Sequence, residues 1–117
     1  MGGSTVTALR ITTGVDGHGV AILGVAGELV TDTAGQLMAA AAAVLTRHRV
    51  TQLVVDLVRV ARLDMNALHT LLRARDAVRQ AGATFRVIRP QPPVRQVLHL
   101  TDTCQLLTGA PWSGGPT

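Results

Sequence analysis

Two carboxylates mark the ends of ordered segments in this chain and are the first candidates for chemistry. Asp56 closes the apolar run Leu53-Val54-Val55, and Asp64 stands just ahead of an amphipathic stretch that begins at Met65. Between them lies a basic segment, Val58-Arg59-Val60-Ala61-Arg62-Leu63, which reads as a loop. A carboxylate pair has the residue types for acid–base work or for holding a cation, but either use needs a further partner. None follows at a telling spacing. The sequence therefore favours structural hydrogen bonding for Asp56. For Asp64 it favours capping of a helix N-terminus, a role compatible with touching a partner protein. His18, His48, His69 and His99 are scattered and suggest no metal set, and His69 reads as an exposed side chain. Thr33 and Thr70 are the hydroxyls best placed to accept a phosphoryl group, Thr33 beside a helix start and Thr70 on a solvent-facing position. An exposed hydroxyl alone, however, specifies no kinase. With no Ser-His-Asp arrangement, phosphate loop or metal motif, a non-enzymatic protein without a cofactor is expected.

The scaffold that must position these residues is small. At 117 residues, 47% apolar and 15% charged, the chain has the size and composition of one globular domain. That domain is expected over residues 6–108, with flexible ends at 1–5 and 109–117. No apolar run reaches the roughly 20 residues of a membrane span, and the start lacks a leader pattern, so a cytoplasmic protein is expected. The lone Cys104 can form no internal disulfide. The pI of about 11.3 overstates the basic character. The formal net charge is only +4, all the basic residues are Arg, and there is no Tyr. Little can neutralise that excess until Arg titrates above about 12. The charge is scattered and almost without aromatics, which argues against direct nucleic-acid binding.

Hydrophobic periodicity gives alternating strands and helices. Val6 to Thr12 reads as a strand, Asp16-Gly17-His18-Gly19 as a turn, and Val20 to Val25 as a strand apolar enough to be covered on both faces. Thr31-Asp32-Thr33 offers cap chemistry for an Ala-rich helix from Ala34 to Arg47, with Leu37, Ala41, Val44 and Leu45 inward. A third strand spans Gln52 to Leu57. A helix from Met65 to Ala81 stops at Gly82, with Ala67, Leu68, Leu71, Leu72, Ala74 and Val78 inward. Its polar side carries Asn66, His69, Thr70, Arg73, Asp76 and Gln80. Thr84 to Ile88 is a fourth strand, the prolines 90, 92 and 93 introduce a helix over Val94 to Leu100, and Cys104 to Leu107 reads as a short last strand. Met65, in the first turn of its helix, is either an exposed flexible apolar contact or inward filler. Trp112, in a Gly/Pro-rich tail, either packs back or anchors a partner. Alternating elements imply an α/β domain with a mixed, mainly parallel sheet, an N-terminal hairpin and packed helices.

Four segments, in order, resemble the STAS domain of bacterial anti-sigma factor antagonists. They are Gly27-Glu28-Leu29 with Thr33-Ala34, Asp64-Met65-Asn66-Ala67, Leu72-Arg73-Ala74-Arg75 with Ala81-Gly82, and Pro92-Pro93-Val94-Arg95 through Leu98 to Thr101. The resemblance implies a module that binds an anti-sigma factor or related serine kinase and so regulates sigma-factor-dependent transcription. It places a contact surface at Asp64, Met65, Asn66, His69, Thr70 and Arg73, joined by Glu28 and Thr33. In that family the second segment reads Asp-Ser-Ser/Thr-Gly and its first Ser is phosphorylated. Here Met65 occupies the acceptor position, and a thioether cannot accept a phosphoryl group. The alternative is a STAS-fold sensor of a small ligand, or a subunit of a homodimer or larger STAS assembly.

Overall fold

The computed structural model describes residues 9–108. Chain reversal begins at Asp16, whose side chain accepts from the backbone N–H of His18 (2.8 Å) and Val20 (3.0 Å). Gly19 completes the turn at φ +85°, a backbone region that side chains with a Cβ rarely adopt. The turn joins β1 (Arg10–Val15) to β2 (Val20–Leu29) in antiparallel register, Arg10 opposite Ala26 and Val15 opposite Ala21. β3 (Gln52–Leu63) and β4 (Thr84–Ile88) then add in parallel, giving a four-stranded mixed sheet in the order β1-β2-β3-β4. The helices are α1 (Thr31–Arg47), α2 (Met65–Gln80), α3 (Pro92–Leu100) and α4 (Cys104–Thr108). The mainly parallel α/β architecture expected from the alternating pattern is present.

A single core joins the elements. Ala21, Leu23 and Val25 of β2 share a sheet face with Leu53, Val55, Phe85 and Val87, and all are buried. Leu37, Ala41 and Val44 of α1 pack into the same cluster, as do Leu68, Leu71 and Val78 of α2, Val94 and Leu98 of α3, and Leu107 of α4. The opposite sheet face is open. Ile22 on it is 45% exposed, which corrects the expectation that β2 is covered on both sides. β2 instead alternates, as a half-buried strand does.

β3 is longer than its periodicity suggested, and the supposed basic loop is strand. Two register shifts against β2 explain the difference. Gly24 pairs Asp56 but Ala26 pairs Arg59, and Gly27 pairs Val60 but Glu28 pairs Arg62. Each shift inserts one extra residue into β3, so Leu57, Val60 and Leu63 all reach the core while Arg59 and Arg62 stay exposed. The first bulge is held at both backbone polar groups: Val58 N–H donates to Asp56 (3.0 Å) and its carbonyl accepts from Gln91 (2.6 Å).

Other boundaries moved less. The first strand runs later than expected, and Val6 to Ala8 lie outside the described residues, as do the two ends and Trp112. α1 begins at Thr31 rather than Ala34. α2 ends as its sequence proposes: Gly82 at φ +85° donates to the Arg79 carbonyl (3.0 Å) and Ala83 to that of Val78 (3.1 Å). The expected last strand at Cys104 is helix instead. A turn with Asp102 at φ +57° presents the Thr103 carbonyl to the Leu107 N–H (3.0 Å), and the Cys104–Leu107 spacing then serves a helical face.

Candidate functional site

Asp64 organises the region where two helices begin. One carboxylate oxygen accepts from the Ala67 N–H (2.8 Å), capping α2 as expected. The other accepts from the N–H (2.8 Å) and the hydroxyl (2.9 Å) of Thr31, the first residue of α1. Its own N–H donates to the Leu29 carbonyl at the end of β2 (3.2 Å). One residue thus ties the end of β2 to the starts of both helices. Asn66 adds a further bond, its amide donating to the Thr31 hydroxyl (3.0 Å). Burial raises the Asp64 pKa, but the Ala67 N–H and the two Thr31 donors outweigh it and hold the carboxyl below its ordinary value. Asp64 is therefore a committed hydrogen-bond acceptor whose charged form these donors favour.

On this fixed backbone Met65 is 50% exposed, which decides between the contact and filler readings in favour of an outward side chain. Asn66, His69 and Arg73 are exposed beside it on α2. Together with Thr31, Gly35 and Met38 of α1 they line a groove of about 410 Å³ between the two helices. Gly35 sits within α1, and a Cβ built there would meet nothing within 4 Å, so internal packing does not require a glycine.

Two proposed contact residues are largely buried, although Thr70 still lines this groove. Thr70 is only 5% exposed. Its hydroxyl donates to the Asn66 carbonyl (3.1 Å) and accepts from Arg73 (3.2 Å), correcting the solvent-facing assignment. Thr33 is fully buried. Its hydroxyl donates to the Glu28 carbonyl (2.7 Å) and accepts from the Val30 N–H (3.0 Å), so it splices the end of β2 to α1. Glu28 is partly buried at that junction. The groove residues that sequence reasoning missed are Thr31, Ala34, Gly35 and Met38. Thr31 was legible only as cap chemistry, and a groove between helices distant in sequence has no local signal.

Asp56 belongs to a different surface. It lies on the open sheet face in an ion pair with Arg89, which also donates through Nε (3.2 Å). Burial raises its pKa, while the Arg89 hydrogen bond and the Val58 N–H bring the net shift below the ordinary value. Among the described residues no group of three or more His, Cys, Asp or Glu could hold a metal ion. No described helix is long and apolar enough to cross a membrane.

A family model described as "Mlab, STAS domain" matches residues 13–108. Among solved structures, an anti-sigma factor antagonist from Mycobacterium paratuberculosis is 31% identical with a TM-score of 0.69, covering 84% of this chain and 83% of that one. The anti-sigma factor antagonist SpoIIAA in its unphosphorylated form superposes at TM-score 0.72 with 15% identity, over 85% and 86% of the two chains. An antisigma-factor antagonist STAS domain from Rhodobacter sphaeroides gives 0.59 at 24% identity, over 69% and 86%. No curated protein matches the sequence.

Proposed function

Since this chain belongs to the STAS-domain family, we propose that it is a cytoplasmic, non-enzymatic protein-binding module that engages a kinase-type anti-sigma factor. By doing so it regulates sigma-factor-dependent transcription. Its contact surface is the shelf where α1 and α2 begin, with Met65, Asn66, His69 and Arg73 outward. The observation that carries the reading is the half-exposed Met65 on a backbone held by Asp64. An apolar, flexible side chain at the exposed start of a helix contributes little to folding and suits a partner contact. The 31% identity to an anti-sigma factor antagonist supports the choice of partner.

A thioether at position 65 leaves the partner kinase nothing to phosphorylate there, so the complex is constitutive. Thr33 and Thr70 offer no replacement, because both hydroxyls are buried and hydrogen-bonded. The test is incubation of the chain with its cognate anti-sigma kinase and ATP, followed by intact-mass analysis and gel filtration. A complex that persists with no phosphate adduct is expected. A stoichiometric phosphate, for instance on the exposed Thr31, accompanied by dissociation would overturn the constitutive reading.

A further inference from the structure

The open face of the sheet holds a second site, unconnected to the helix shelf. A pocket of about 410 Å³ lies over the middle of β1, β2 and β3, lined by Arg10, Thr12, Gly24, Asp56, Arg59 and Arg89. It shares no lining residue with the α1–α2 groove. Three guanidinium groups therefore face one carboxylate. Asp56 is paired with Arg89 and lies within electrostatic reach of Arg59, so one carboxylate is left to offset three guanidinium groups. Arg10 and Arg59 are exposed and form no ion pair among the described residues.

The pocket is built by specific backbone features. Without the first bulge, Ala26 would pair Val58, and Arg59 would point to the helix-covered side of the sheet. The extra residue in β3 places Arg59 opposite Ala26 instead, on the open face. The carboxylate that anchors Arg89 also accepts the Val58 N–H that the bulge frees. Gly24 forms the floor. A Cβ there would come within 2.7 Å of the Thr12 hydroxyl oxygen, so glycine is what lets Thr12 lie across the pocket.

From this arrangement we infer that Arg10, Arg59 and Arg89 form a binding site for a small phosphate-bearing molecule, such as a phosphomonoester or diphosphate. Guanidinium forks match phosphate oxygens bidentately, and the phosphate dianion uses charge that a single carboxylate would leave unbalanced. The volume falls in the range of about 300–1,000 Å³ typical of small-ligand pockets, which favours a small molecule over an extended polymer. A ligand there would be bound independently of any protein on the helix shelf.

The test uses inorganic pyrophosphate as probe, titrated into the chain alone at low salt and followed by backbone amide NMR. Saturable shifts centred on Thr12, Gly24, Ala26 and Arg59 are expected, with a dissociation constant below about 1 mM. The double variant Arg10→Ala/Arg59→Ala should retain its spectrum yet bind at least about tenfold more weakly, since neither side chain is hydrogen-bonded or ion-paired among the described residues. A charge-matched control, Arg47→Ala/Arg49→Ala at the end of α1, should bind like the parent. Non-saturable shifts, shifts centred on the starts of α1 and α2, or equal weakening in the control would overturn the assignment. Because no protein partner is present, failure here leaves the proposed contact shelf untouched, and the reverse holds too.

Discussion

Asp64 does more than its immediate sequence shows. A carboxylate before a helix announces one cap, and the bond to Ala67 fulfils that announcement. Its second oxygen serves Thr31, a residue 33 positions away, and no local pattern encodes that contact. Thr70 shows the converse error. It occupies the polar side of an amphipathic repeat, yet it is buried where α1 and α2 approach, its hydroxyl satisfied within its own helix. Asp64→Ala removes a cap from one helix and a charged acceptor from the other. It is expected to lower unfolding free energy by about 2 kcal/mol, measured by urea denaturation. The pH dependence has a defined sign. A carboxyl whose folded pKa is lowered stabilises the fold above its unfolded value near 4 and loses that contribution as pH falls through the folded pKa. Asp64→Asn should therefore lose less stability than the parent between about pH 5 and pH 2. Parallel pH–stability curves for the two proteins would contradict this role for Asp64.

The elements were legible wherever one period held throughout. α2, its Gly82 stop and β4 follow from the residues alone, since helical and alternating repeats are unbroken there. β3 was legible only from Gln52 to Leu57, because its two bulges then convert the period of two into core residues at Leu57, Val60 and Leu63. That spacing matches neither strand nor helix when read locally, and only pairing with β2 makes it a strand. α4 failed for a related reason: five residues are too short for any period to declare itself. Gly35 within α1 poses an element-scale question. Gly in a helix interior is less stable than Ala by roughly 0.5–1 kcal/mol, and no neighbour here would resist a Cβ. Gly35→Ala should raise the thermal midpoint. Gly35→Gln should keep the fold but weaken partner binding at least severalfold, because its side chain would enter the groove with Asn66, His69 and Arg73. Calorimetric titration and thermal scans of both variants check this, and unimpaired binding by Gly35→Gln would place the partner elsewhere.

At the scale of the molecule, the domain presents two unlike surfaces. The starts of α1 and α2 form a shelf with an exposed methionine, and the open sheet face carries a cluster of arginines. The fold class was readable because motifs spread along the chain agreed in order, and the family match over residues 13–108 bears that out. Which of the residues that the resemblance assigns to the contact surface are exposed was not readable, as buried Thr33 and Thr70 show, since exposure depends on how distant elements pack. Calorimetric titration of two variants against the proposed anti-sigma partner decides whether the shelf is the protein-binding face. Burying a methionine at an interface contributes on the order of 1–3 kcal/mol, whereas a carboxylate there carries the desolvation cost of a buried charge. Met65→Asp should weaken the complex by at least about tenfold, or 1.4 kcal/mol, with an unchanged fold. Arg10→Ala, on the open sheet face, should bind as the parent does. Parent-like affinity for Met65→Asp would place the protein-binding face elsewhere.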